Sequence, residues 1–344
     1  MWVDFHWHAR DWQEARKETI TRSLALVEAA GGTAIAAMPN TKPPLLTLKT
    51  CREYLRLAPP SPIQFYVHIG LTADLEQVRR AVEATRQEPR IIGMKAYFGP
   101  STNDLSLLET RQQHQVLETL AAEGYEGVLV GHFESPRYLR DDLFDPQNPI
   151  TWSTHCRPEE AEWESFQDII TIAQEVKLKA KIHVAHVSVP EVADYIQSYR
   201  GPLRLSCGVT PHHLFLDNNY LRRPDGLWYK CNPPLRSPAT RQDLFQCLEQ
   251  GKIPIIESDH APHCEQDKQG SKAASGCSAG LVWPYLISHL QSFFSAAQVH
   301  NLVFQNAVNL YSLNLEPRKA TVDWEALREI QKQYAHNPFE GIFR

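Results

Sequence analysis

Near the N-terminus, Asp4-Phe5-His6-Trp7-His8-Ala9-Arg10 holds two histidines one residue apart and an arginine two positions further on. Alternate side chains of a strand point to the same side, so His6 and His8 can grip one metal ion together. Arg10 adds a guanidinium suited to an anion. Polar residues close the later apolar runs in the same way. Asn40 follows Met38-Pro39, and Lys95 interrupts Gly93-Met94-Lys95-Ala96-Tyr97. His132 and Glu134 end one run, and His183 and His186 the next. His212 and His213 follow Thr210-Pro211, and Asp259 and His263 lie in Ser258-Asp259-His260-Ala261-Pro262-His263. A single strand-end histidine is more often a hydrogen-bonded structural residue than a ligand. His114, His289, His300 and His336 sit on helical stretches and read as surface or packing residues. An unpaired ammonium inside an apolar strand is costly. Lys95 therefore needs a carboxylate partner, with Glu134 and Asp259 the candidates, or a chemical modification.

These groups can converge only if the elements carrying them share one end of a sheet. Eight apolar runs read as strands: Trp2–Trp7, Thr33–Met38, Ile63–Ile69, Ile91–Tyr97, Gly127–His132, Lys181–Val187, Leu203–Val209 and Ile253–Ser258. Amphipathic stretches lie between them, including Gln13–Ala30, Asp74–Arg86, Leu107–Glu123 and Glu159–Val176. Strands alternating with helices predict an α/β fold, a (β/α)8 TIM-type barrel. A doubly wound open sheet would alternate similarly, but no Gly-x-Gly-x-x-Gly turn favours it. Three aperiodic polar segments, Ser135–Arg157, Asp217–Arg236 and Cys264–Gly280, each follow a strand. In a barrel they become long loops around the C-terminal mouth, where substrate contacts gather.

Composition frames the rest. The 344 residues suit one barrel domain over 1–344, and 42% hydrophobic residues supply its core. A net charge of -5 without a basic stripe gives no footprint for nucleic acid, and no apolar run is long enough for a membrane span. Seven cysteines without regular spacing fit a reducing compartment, so the expected location is the cytoplasm.

His-x-His on strand one, lysine on strand four, histidines on strands five and six and aspartate on strand eight together identify the chain as resembling the amidohydrolase superfamily. Within it the chain resembles the dihydroorotases. The matching pieces are Asp4-x-His6-x-His8-x-Arg10, Met38-Pro39-Asn40-Thr41, Gly93-Met94-Lys95 and Arg157-Pro158-Glu159-x-Ala161-Glu162. They continue with His183–Ser188, Val209–Leu214, Asn232-Pro233-Pro234-Leu235-Arg236 and Ser258–His263, and the closing Asn337-Pro338-Phe339-Glu340-Gly341 is similar to the family's tail.

The resemblance implies interconversion of dihydroorotate and N-carbamoyl-L-aspartate, a step of de novo pyrimidine synthesis. It implies two divalent metal ions, zinc by habit of the family. His6 and His8 would bind the first, and His132 and His186 the second. Lys95, carbamylated by CO2, would bridge both. Asp259 would bind the first metal and shuttle the proton for a hydroxide activated between the two. His186 is chosen over His183 because the family ligand directly precedes Val-Ser, and strand alternation puts His183 on the opposite side. His212 and His213 are expected to be supporting or structural groups.

Arg10, Asn40 and His263 occupy the family's positions for the substrate's exocyclic carboxylate, and Asn232 matches a further substrate contact. Ser101, Thr102 and Asn103 are expected in a loop over the substrate. Hydantoinases, dihydropyrimidinases and allantoinases act on rings lacking that carboxylate, which sets them behind. A non-catalytic relative serving as partner of aspartate transcarbamoylase would be expected to lose ligands, and all six are present. Homodimers are common among relatives. The chain departs from the family in bulky Phe5 and Trp7, in His132-Phe133-Glu134 and in Ser275–Gly280. It also begins almost at strand one, so a complete N-terminal β-sandwich extension is not expected.

Overall fold

The structure is a computed structural model that describes residues 1–101 and 105–343. Its eight strands are β1 Val3–Trp7, β2 Ala34–Ala37, β3 Gln64–Gly70, β4 Ile91–Phe98, β5 Val128–Phe133, β6 Lys181–Val184, β7 Arg204–Val209 and β8 Ile255–Ile256. They pair in parallel in the order β1 to β8. The seam between β8 and β1 closes at the mouth, where His8 N donates to His260 O at 2.9 Å and Trp7 bridges His260. Helices cover the outside: α1 Ile20–Ala29, α2 Leu48–Leu55, α3 Leu75–Gln87, α4 Thr110–Ala122, α5 Glu159–Glu175, α6 Pro190–Ser198, α7 Pro211–Phe215 and α8 Pro238–Glu249. The strands are buried on both faces, as a wrapped parallel sheet requires.

Local chemistry sets the element ends. Thr19 and Asp74 accept backbone N–H bonds at the starts of α1 and α3, and Thr47 forms a capping box with Thr50 at α2. The helix expected over Gln13–Ala30 begins only at Ile20. Asp11 and Trp12 take φ values of 37° and 44°, and the chain makes a single 3-10 turn at Trp12–Glu14 first. β6 and β8 are shorter than their apolar runs. His186 and Asp259 adopt left-handed φ values of 42° and 49°, which turn the backbone off the sheet as it reaches the mouth. The three polar segments carry short helical turns, among them Asp141–Leu143, Asn218–Arg222 and Glu265–Lys268.

Trp7 points outward. Its Nε1 donates to Ser23 Oγ on α1 at 2.9 Å, and its ring stands 4.2 Å from that of His260. Gly280 lies against it so closely that a Cβ there would be 2.3 Å from the indole. His336 lies beyond the helix Trp324–Gln331 rather than on one, with its ring stacked on Trp228.

Candidate metal and substrate site

At the C-terminal ends of the strands the structure opens a cleft of about 380 Å³, within the usual size range for small-molecule sites. His6, His8, Lys95, His132, His186 and Asp259 line it, and so do Arg10, Asn40, Asn232 and His263. All ten residues singled out in the sequence thus share one cavity. Ser101 lines it too, whereas Thr102 and Asn103 lie outside the described residues.

On the β1 side, His8 Nδ1 stands 2.8 Å from Asn40 Oδ1, and its Nε2 2.8 Å from Asp259 Oδ1. The amide oxygen only accepts, so His8 donates to it from Nδ1. His6 Nε2 is 3.4 Å from the same oxygen. One donor atom from each of His6, His8 and Asp259 falls within 4.8 Å of the others. Two imidazoles and a carboxylate converging this closely suit a shared cation. Burial pushes the Asp259 carboxyl up, but the hydrogen bond from His8 and the charges of His6 and His8 outweigh it and hold it well below the usual range.

Across the cleft, His132 Nδ1 and His186 Nε2 are 3.3 Å apart, and the His186 ring stands 5.1 Å from that of His6. Between these pairs lies Lys95 on β4. It is 1% exposed and its Nζ has no hydrogen-bond partner. Burial pulls its pKa down to about 8, against the opposing charges of Glu257 and Asp259. Neither carboxylate considered for it pairs with it. Glu134 is taken by Arg157 Nη1 at 2.6 Å and lies 3.0 Å from His132 Nε2, and Asp259 faces the β1 histidines. A buried amine without a hydrogen-bond partner, among imidazoles and a carboxylate that faces elsewhere, fits chemical modification better than it fits an ion pair.

Two carboxylates steady this floor from behind. Glu257 lies 3.6 Å from His6 Nδ1 and 3.3 Å from His183 Nε2, and accepts the His186 backbone N–H at 2.7 Å. The alternation argument for His183 therefore fails. β6 ends at Val184, and His183 turns toward the same carboxylate that contacts His6. The sequence reading missed Glu257, although an acid inside the apolar run Ile253–Ser258 is the same signal that singled out Lys95. The second carboxylate is Glu134. Burial raises its pKa, but Arg157, His132 and Arg236 together outweigh that and bring it down to about 2.

At the rim, Asn232 Oδ1 accepts from Trp152 Nε1 and Ser275 Oγ, each at 3.1 Å. His263 Nε2 donates to Ser275 O at 3.0 Å. Arg10 is 7% exposed with its Nε unpartnered. His212 and His213 stay off the cleft lining. Their donor atoms lie within 4.8 Å of one another and of Cys231 Sγ. Both His213 ring nitrogens are engaged, by Thr210 Oγ1 at 2.8 Å and Pro233 O at 3.0 Å, which supports a structural role there.

No protein-family model matches the chain. Curated relatives do. A dihydroorotase from Pyrobaculum aerophilum is 28% identical over 99% of this chain and 82% of its own length. One from Aeropyrum pernix is 33% identical over 77% of this chain, which spans only 58% of that relative. One from Geobacillus is 30% identical over 84% of this chain and 66% of its own length. Among solved structures, an L-hydantoinase (dihydropyrimidinase) from Arthrobacter aurescens superposes with a TM-score of 0.78 at 20% identity, covering 93% of this chain and 73% of that one. A dihydroorotase from Saccharomyces cerevisiae, in complex with 5-fluoroorotic acid, gives 0.69 at 18% identity, covering 91% and 84%. These two likenesses concern the fold, whereas the curated relatives carry the narrower assignment. The chain belongs to the dihydroorotase family.

Proposed function

We propose that the protein reversibly hydrolyses dihydroorotate to N-carbamoyl-L-aspartate. The observation that carries this reading is the placement of Arg10. A largely buried guanidinium lines the same cleft as the six candidate metal-binding residues. An arginine fork matches a carboxylate, the group that separates dihydroorotate from hydantoin and dihydrouracil.

In this reading His6, His8 and Asp259 would hold one divalent cation and His132 and His186 a second, and Lys95, once its amine had added CO2 and released a proton, would add a carboxylate to the set. Zinc suits this set of imidazoles and carboxylates. Bound there, the cations supply Lewis acidity and bring the pKa of water toward neutrality. The chain's own residues do the rest. Arg10, the Asn40 amide nitrogen and His263 hold the ring carboxylate, and Asn232 steadies the ring. Asp259, kept ionised by His8 and His6, takes the proton of the attacking water. It then delivers that proton to the ring nitrogen as the carbon–nitrogen bond breaks, as a general base and then an acid. In reverse, the carbamoyl nitrogen gives its proton to Asp259 as it attacks the carboxyl carbon, and Asp259 passes that proton to the departing oxygen, which leaves as water as the carbon–oxygen bond breaks.

The test is turnover by purified, metal-loaded protein on dihydroorotate, hydantoin, dihydrouracil and allantoin. The expected result is ring opening of dihydroorotate far above the others. Opening of hydantoin or dihydrouracil without dihydroorotate would contradict the assignment.

A further inference from the structure

A guanidinium on a loop needs something to aim it. Arg10 Nη1 lies 3.4 Å from Glu14 Oε2, and Glu14 Oε1 accepts from Lys17 Nζ at 2.7 Å. Glu14 is 6% exposed and lines the same cleft as Arg10. A buried carboxylate in a cleft that receives an anion carries a desolvation cost unless it is paired. Both of its oxygens are paired, one with each cation.

The backbone goes out of its way to put it there. Asp11 and Trp12 occupy the left-handed region at φ 37° and 44°, which costs a non-glycine residue on the order of 1 kcal/mol or more. This turn reverses the chain directly after Arg10 and returns Glu14 beneath it. Surrounding bonds hold the strained turn in place. The Asp11 carboxylate accepts from Ile20 N at 2.5 Å, Asp11 N donates to Glu18 O at 3.1 Å, and Gln13 N donates to Lys42 O at 3.3 Å. Sustained strain beside a binding group points to a positioning task.

We propose that Glu14 is the positioning residue for Arg10: it holds Nη1 and so fixes the guanidinium where it lines the cleft, while Lys17 fixes Glu14. The inference rests on the dihydroorotate reading, since the anion that Arg10 meets is the ring carboxylate. Positioning, rather than competition with the substrate, follows from the pairing. Glu14 engages one terminal nitrogen at 3.4 Å and leaves the rest of the guanidinium, which lines the cleft, for the incoming carboxylate.

The test is steady-state kinetics of the metal-loaded full chain, with metal content measured alongside. Glu14→Gln should raise KM for dihydroorotate about tenfold while kcat stays within about threefold and metal content is unchanged. Lys17→Met, one step removed, should raise KM about threefold. In an Arg10→Met background, Glu14→Gln should add nothing, because a residue acting through Arg10 couples to it fully in a double-mutant cycle. A lower KM in Glu14→Gln would mean that Glu14 competes with substrate. A KM rise that persists in the Arg10→Met background would mean general loosening of the loop. Either result overturns the inference. Wild-type protein that does not open dihydroorotate would instead overturn the functional reading, whereas wild-type turnover with KM unchanged in Glu14→Gln removes the positioning role alone.

Discussion

The floor and the rim of the cleft are built differently. The floor donors stand on or just past strand ends, and each of the four histidines has a polar partner: Asn40 behind His8, Glu257 behind His6 and His186, and Glu134 beside His132. The rim groups stand on loops and are tied to other loops. Asn232 and His263 both bond Ser275, and Arg16 forks Asp267 through two contacts of 3.0 and 2.5 Å. A barrel thus places its chemistry on the sheet, where geometry is stiff, and its choice of substrate on loops, where residues can change without disturbing the ligands. Arg10 belongs to both regions. It follows the β1 ligands by two residues, yet it is aimed by the strained turn beyond them.

The sharpest way to break this contrast is at the floor. Asp259→Asn keeps the size of the side chain but removes its basicity, so kcat should fall by about a thousandfold or more with circular dichroism unchanged. Retained turnover would remove Asp259 from the proton path. A second break concerns stability. The Glu134 pKa lies at about 2, against 4.5 for an ordinary glutamate. Its folded value is depressed, so its stabilisation is fully present above pH 4.5 and is lost as pH falls toward 2. That contribution is on the order of 3 kcal/mol. Glu134→Gln should lose that much in urea unfolding at pH 7 and show a flatter acid limb than wild type. Equal pH dependence in both proteins would contradict the linkage. The mildest change is Glu257→Gln, which should weaken metal affinity about 10- to 100-fold, the usual effect of removing a group that orients ligands. Chelator competition reads this directly, and an unchanged affinity would place Glu257 outside the support of the floor.

The same contrast governs what could be read in advance. The eight apolar runs announced the barrel and the polar residues at their ends, because burial and alternation leave direct marks on sequence, whereas Asn232 and the choice of His186 came from the family resemblance, and Glu14 and Lys17 in the same cleft were missed. The ends of β6 and β8 left none. His186 and Asp259 are turned by left-handed backbone that no hydropathy pattern signals. The helix expected from Gln13 failed for a related reason. Residues 13–19 include several good helix formers, but the turn at Asp11 and Trp12 takes Glu14 for Arg10, and Thr19 caps a helix that starts at Ile20. Trp7, bulky between two ligands, is explained only by the pocket that Ser23, His260 and Gly280 form outside the barrel. Glu257 was legible and was missed.

The central claim is that the floor opens a cyclic amide and that Arg10 at the rim selects one bearing a carboxylate. The most direct measurement is kcat/KM on dihydroorotate relative to dihydrouracil, for wild type and Arg10→Met, with metal content matched. Wild type should prefer dihydroorotate by about a thousandfold or more. Arg10→Met should lose about a hundredfold of that preference, almost wholly through weaker use of dihydroorotate, in line with the cost of leaving a buried charged group unpaired. Wild-type protein that opens dihydrouracil as well as dihydroorotate, or a preference that survives loss of the guanidinium, would contradict the account.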